Sequence, residues 1–76
     1  MKLRAMKPGQ EGMILGFDAD ADKKYRRKLL RMGILKDTPF VFIRKAPLGD
    51  PIEIEIQGCS VSLRKEEADI LNVREA

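Results

Sequence analysis

The segment Ile52-Glu53-Ile54-Glu55-Ile56-Gln57 alternates strictly between isoleucine and a polar residue. Successive side chains of a β-strand point to opposite faces, so this period of two puts three isoleucines on one face and Glu53, Glu55 and Gln57 on the other. A helix would instead turn Ile54 away from Ile52 and Ile56. One face has to be covered and the other meets water, which commits this part of the chain to a one-sided antiparallel sheet. Gly58 supplies a tight turn, and Cys59, Val61 and Leu63 then alternate with Ser60 and Ser62 as the returning strand of a hairpin. On that pattern Cys59 shares the core face with Val61 and Leu63.

The other elements arrange themselves around this hairpin. Gly12 to Phe17 reads as a first short strand, flanked by glycines where backbone bulges or approaches closely. Thr38 to Arg44 is rich in aromatic and β-branched residues, and Ala46-Pro47-Leu48-Gly49-Asp50-Pro51 imposes a turn after it. From Asp22 to Met32 the period becomes helical, with Tyr25, Leu29 and Met32 at i, i+4 and i+7 and Leu30 widening the stripe. Asp18, Asp20 and Asp22 supply candidates for its N-cap, and Gly33 stands where a left-handed C-terminal cap is wanted. Arg64 to Asp69 reads as a short helical turn and Ile70 to Val73 as a last strand. The expected fold is mainly β, a small, partly open barrel of five short antiparallel strands. It carries one inserted helix over residues 22–32 and a helical turn at 65–69, since closure protects the edges of so short a sheet.

A chain of 76 residues holds one such domain and no second core. It has 43% apolar and 36% charged residues, which favours a globular domain over a disordered tail. No apolar run approaches the roughly 20 residues of a spanning helix, and Met1 to Pro8 has no apolar stretch of signal-peptide type. One cysteine, Cys59, and no histidine exclude an intrachain disulfide and the common zinc sites. Ser60 and Ser62 lack a histidine base, and no glycine-rich phosphate-binding motif is present. Catalysis, a bound cofactor and a resident metal are therefore not expected, and a reducing cytoplasm fits best. Asp18, Asp20 and Asp22 open like a calcium loop, but Lys23 stands where that loop needs glycine and Leu29 where it needs glutamate.

Function has to come from surfaces. The net charge of +3 is too small to diagnose a partner, but Lys23, Lys24, Arg26, Arg27, Lys28 and Arg31 put six cations on one helix with no acid among them. One reading is a solvated face paired with Asp18, Asp20 and Asp22. A second is a docking face for an acidic protein surface, and a third is a small basic barrel that binds nucleic acid, although no aromatic residue besides Tyr25 is there to stack on bases. Leu29 to Leu35 holds more apolar residues than one helix face can bury, so Leu30 or Leu35 is expected to line a groove between helix and barrel.

Three stretches carry a wider resemblance. They are Tyr25-Arg26-Arg27-Lys28-Leu29-Leu30-Arg31-Met32-Gly33, Arg44 to Ile52 with its Ala-Pro-Leu-Gly-Asp-Pro run, and Ser62-Leu63-Arg64-Lys65-Glu66-Glu67-Ala68. Together with the spacing of Leu3, Gly9, Gly12 and Ile14, and with Ile70 and Val73, they resemble the FeoA family over nearly the entire chain. That resemblance implies an SH3-like barrel with an inserted helix. It also implies a cytoplasmic, non-catalytic accessory protein of bacterial ferrous iron transport, peripheral at the inner membrane only through its partner. The partner implied is FeoB, a membrane transporter with an amino-terminal GTP-binding domain. The docking residues expected are Arg26, Arg27 and Arg31 for charge, with Leu30 and Leu35 as apolar contacts. Nucleic acid is not the expected partner, and the edges beside Ile52 to Ile56 are open to weak pairing between copies. The chain departs from the family's frequent Pro-Gly after the helix, having Lys36-Asp37 and then Pro39.

Overall fold

A computed structural model describes residues Met1–Ala76. After a 3-10 turn at Leu3–Ala5, the order is β1 (Glu11–Phe17), α1 (Lys23–Arg31), β2 (Pro39–Lys45), β3 (Ile52–Ile56), β4 (Cys59–Leu63), α2 (Lys65–Ala68) and β5 (Leu71–Glu75). The five strands form one antiparallel sheet in the order β4-β3-β2-β1-β5. Register shifts between Ile14 and Gly16 in β1, and between Phe42 and Arg44 in β2, bend the sheet around its core. The ends of the sheet, β4 and β5, do not pair, so the barrel is partly open.

The alternation of β3 is realised as read, with Ile52, Ile54 and Ile56 all buried. They meet Phe40 and Phe42 of β2, Ile14 of β1, Leu71 and Val73 of β5, and Leu29 of α1 in one cluster. Leu3 and Met6 join this cluster from the amino terminus, a contribution the sequence reading leaves out. The Met1 carbonyl also accepts a hydrogen bond from Val73 N–H at 2.9 Å, which covers part of the outer edge of β5.

Two expectations about the hairpin are corrected. Cys59 is exposed and Val61 is half-buried, and only Leu63 of the three reaches the core. The period of β4 is right, but Cys59 pairs with Ile56 beside the hairpin turn, on an edge strand whose first residues overhang the cluster. Nor is β3 an exposed edge, since β2 and β4 flank it; the free edge for pairing with another copy belongs to β4.

Helix α1 is held at both ends. Asp22 accepts a hydrogen bond from Lys24 N–H at 2.8 Å as N-cap. At the other end, Gly33 takes a φ of 86°, Gly33 N–H reaches the Leu30 carbonyl and Ile34 N–H reaches the Leu29 carbonyl. These two bonds define a Schellman cap, and its hydrophobic pair is Leu29 with Ile34, both fully buried. In the connection to β2, Asp37 sits at a φ of 64°, so an aspartate holds the left-handed position directly. Asp37 N–H donates to the Ile14 carbonyl at 2.8 Å, which stitches the turn to β1.

Candidate docking site on the basic helix

The caps fix the rotation of α1, and that decides which side chains it offers. Leu29 faces the core, with Tyr25 and Met32 packed partly against it. The cations then fall on two outer sides. Lys23, Arg26, Arg27 and Leu30 surround a shallow depression, while Lys24, Arg27, Lys28 and Arg31 line a larger concavity with Tyr25 and with Glu67 of α2.

Leu30 is 40% exposed. Arg26 and Arg27 lie beside it in the same depression, and Arg26 also stands over the Phe17 ring at 5.9 Å from its centroid. Arg31 belongs to the other side, toward Glu67. Leu35, 47% exposed, lines neither depression. The residues around Leu30 all come from α1, so its depression is on the helix and not between helix and barrel.

The aspartates before α1 do not neutralise it. Asp18 takes a salt bridge from Lys2 at 2.8 Å and a hydrogen bond from the Asn72 amide at 2.8 Å, and these donors hold its carboxyl below the usual value against the opposing effect of burial. Asp22 is engaged in the backbone cap. Lys28 alone among the six helix cations has a carboxylate within 4.0 Å, namely Glu67 at 2.5 Å. Of the readings open for the helix, pairing with the preceding aspartates is therefore not realised, and five of its six exposed cations have no carboxylate within 4.0 Å.

Glu67 is the residue that sequence reading misses. Its side chain is 4% exposed, one oxygen accepts from Arg64 N–H at 2.8 Å and the other meets Lys28. Burial, the largest single influence, pushes its pKa up; the Lys28 and Arg64 hydrogen bonds and the charges of those two residues together outweigh burial and leave the pKa lowered. The one signal for it is its place three residues after Arg64, the acidic position of a capping box. Arginine at the N-cap hides that pattern.

Glu53 on β3 is likewise held below its usual value, first by its hydrogen bond from Arg44 and then by that from Ser60. Each carboxylate with a shifted pKa is therefore tied into a structural pair. No helix is long and apolar enough to cross a membrane.

The family described as FeoA domain matches residues 1–75. A FeoA-like protein from Clostridium acetobutylicum is 35% identical, with a TM-score of 0.85 over 99% of this chain and 85% of that one. The FeoA protein from Chlorobium tepidum is 32% identical, with a TM-score of 0.85 over 99% of this chain and 70% of that one. FeoA of Stenotrophomonas maltophilia, described as a prokaryotic SH3 domain protein and solved with zinc, is 22% identical, with a TM-score of 0.80 over 97% and 89% of the two chains, which bears on the fold. With its mainly β, SH3-like architecture and a family match spanning all five strands and both helices, the chain belongs to the FeoA family.

Proposed function

We propose that this chain is a non-catalytic accessory protein of bacterial ferrous iron uptake that docks through α1 on the cytosolic part of a FeoB-type GTP-binding transporter. Family membership supports the iron-transport setting, and the Stenotrophomonas maltophilia relative is described as possibly a ferrous iron transport activating factor. The docking reading is carried by one observation: Leu30 is exposed among Lys23, Arg26 and Arg27, none of which has a carboxylate within 4.0 Å. An apolar anchor ringed by one sign of charge steers an acidic partner and then excludes water from a central contact. The protein works in the cytoplasm and reaches the membrane through that partner.

The non-catalytic reading is supported by the missing histidine and by the engagement in structural contacts of Asp18, Glu53 and Glu67, the carboxylates whose pKa values are shifted. Nucleic acid is less well supported, because Tyr25, the one aromatic side chain lining either basic depression, packs partly against the core.

The test is an amide NMR titration with the isolated cytosolic domain of the transporter, loaded with GDP or with a non-hydrolysable GTP analogue. Shifts concentrated between Arg26 and Leu35 in at least one nucleotide state are expected, and Leu30→Ala should weaken binding while leaving the melting temperature nearly unchanged. Shifts centred on the sheet, or no shift in either state, would overturn docking through α1.

A further inference from the structure

The side of α1 away from Leu30 has a different shape and a different charge balance. A concavity of about 550 Å³ lies between α1 and α2, lined by Lys24, Tyr25, Arg27, Lys28, Arg31 and Glu67. Positions 24, 27, 28 and 31 fall on successive turns of one helical face, and from 24 to 31 that face runs about 10 Å at 1.5 Å per residue. Glu67 is the only acid in the lining, and both of its oxygens are engaged, one by Arg64 N–H and one by Lys28. This buried carboxylate fixes the Lys28 ammonium and cancels a single charge. Lys24, Arg27 and Arg31 have no carboxylate within 4.0 Å.

We infer that this concavity is a binding site for a polyphosphate anion, a chain of two or more linked phosphates; it shares Arg27 with the depression around Leu30 and none of that depression's other residues. Low-dielectric walls focus the field of like charges inside a cleft, so unpaired cations there attract an anion more strongly than the same cations on a convex surface. Arginine forks match phosphate oxygens in pairs of parallel hydrogen bonds, and Lys24 adds a mobile ammonium at the other end. A single carboxylate or phosphate engages one or two of these groups. Linked phosphates spread over the run from Lys24 to Arg31 engage all of them. The volume lies within the roughly 300–1,000 Å³ of small-molecule pockets, which favours a compact anion over an acidic polypeptide.

The test uses the intact chain with inorganic tripolyphosphate, inorganic phosphate and a glutamate-rich peptide at matched ionic strength, followed by amide NMR and calorimetry. Tripolyphosphate is expected to shift the amides of residues 24–31 and Glu67, and to bind tighter than inorganic phosphate by about tenfold or more. Lys24→Ala with Arg31→Ala should weaken it by about tenfold, whereas Lys23→Ala with Arg26→Ala, removing the same charge from the other side, should change it by less than about twofold. All four residues are exposed, so melting curves should show both variants folded. The shift map on the unaltered chain does not depend on either variant. Equal losses in the two variants, equal affinity for inorganic phosphate, tighter binding of the peptide, or shifts away from the concavity would each overturn the site.

Discussion

Glu67 is buried yet ionised because each of its oxygens has a donor, and that arrangement makes it sensitive to acid. A carboxylate whose pKa is lower in the folded chain than in the unfolded one stabilises the fold while ionised. Its contribution is complete above the ordinary value of 4.5 and is lost as pH falls through the folded value. Glu67→Gln cannot ionise, so it should be less stable than the unaltered chain at pH 7 by about 1–2 kcal/mol, and the gap should shrink as the pH is lowered below 4.5. Urea unfolding of both proteins at pH 7 and pH 3 measures this; a gap that stays constant would mean that packing, not charge, fixes the residue. A second constraint acts on the sheet at Gly12. A Cβ there would lie 2.5 Å from Cζ of Phe40 and 3.1 Å from the Arg74 carbonyl oxygen. Phe40 is itself buried, so the added methyl has to displace a packed ring, and Gly12→Ala should destabilise by about 1–3 kcal/mol, read as a lower urea midpoint.

Among the elements, the β3–β4 hairpin shows a turn that its residues only partly favour. Gln57 and Gly58 link the pair Ile56 and Cys59, with φ values of 51° and 79°. Two positive φ values in a two-residue loop make a type I′ turn, where asparagine before glycine is preferred and a longer side chain is tolerated at some expense. Gln57→Asn should therefore raise stability by about 0.5 kcal/mol, seen as a higher melting temperature, with no change in the fold. The hairpin also shows how far the sequence can be read. The period of β3, the aromatic run of β2 and the caps of α1 are local signals, and each places its element to within a residue or two. Burial at Cys59 depends on where the strand ends relative to the core, and the capture of Leu3 and Met6 depends on which sheet edge stays open. Both follow from tertiary arrangement and leave no periodic trace. At the candidate site the cationic run was legible, as were Arg26, Arg27 and Leu30 as neighbours. The division of α1 into two sides was not, because Glu67 comes from a four-residue helix more than thirty positions later.

Over the whole molecule, a net charge of +3 hides a strong segregation. Helix α1 carries six cations and no acid, while Glu11 of β1, Val41 of β2 and Glu55 of β3 stand in register across the sheet, with exposed carboxylates at either end of the row. Encounter with a partner therefore depends on which surface faces it, since at about 0.1 M salt charges are screened beyond roughly 10 Å. If α1 docks through its Leu30 side, charge and apolar contact should separate kinetically. Charge acts at long range before contact, so Lys23→Glu with Arg26→Glu should slow association with the transporter's cytosolic domain by about tenfold at low salt and less at high salt. Leu30 acts only after water has left, so Leu30→Ala should leave association nearly unchanged and speed dissociation. Stopped-flow or surface-based kinetics across an ionic-strength series reads both effects. The control is Glu55→Lys, on the sheet, which should alter neither rate by more than about twofold; a change as large as that from α1 would move the docking face from the helix to the sheet.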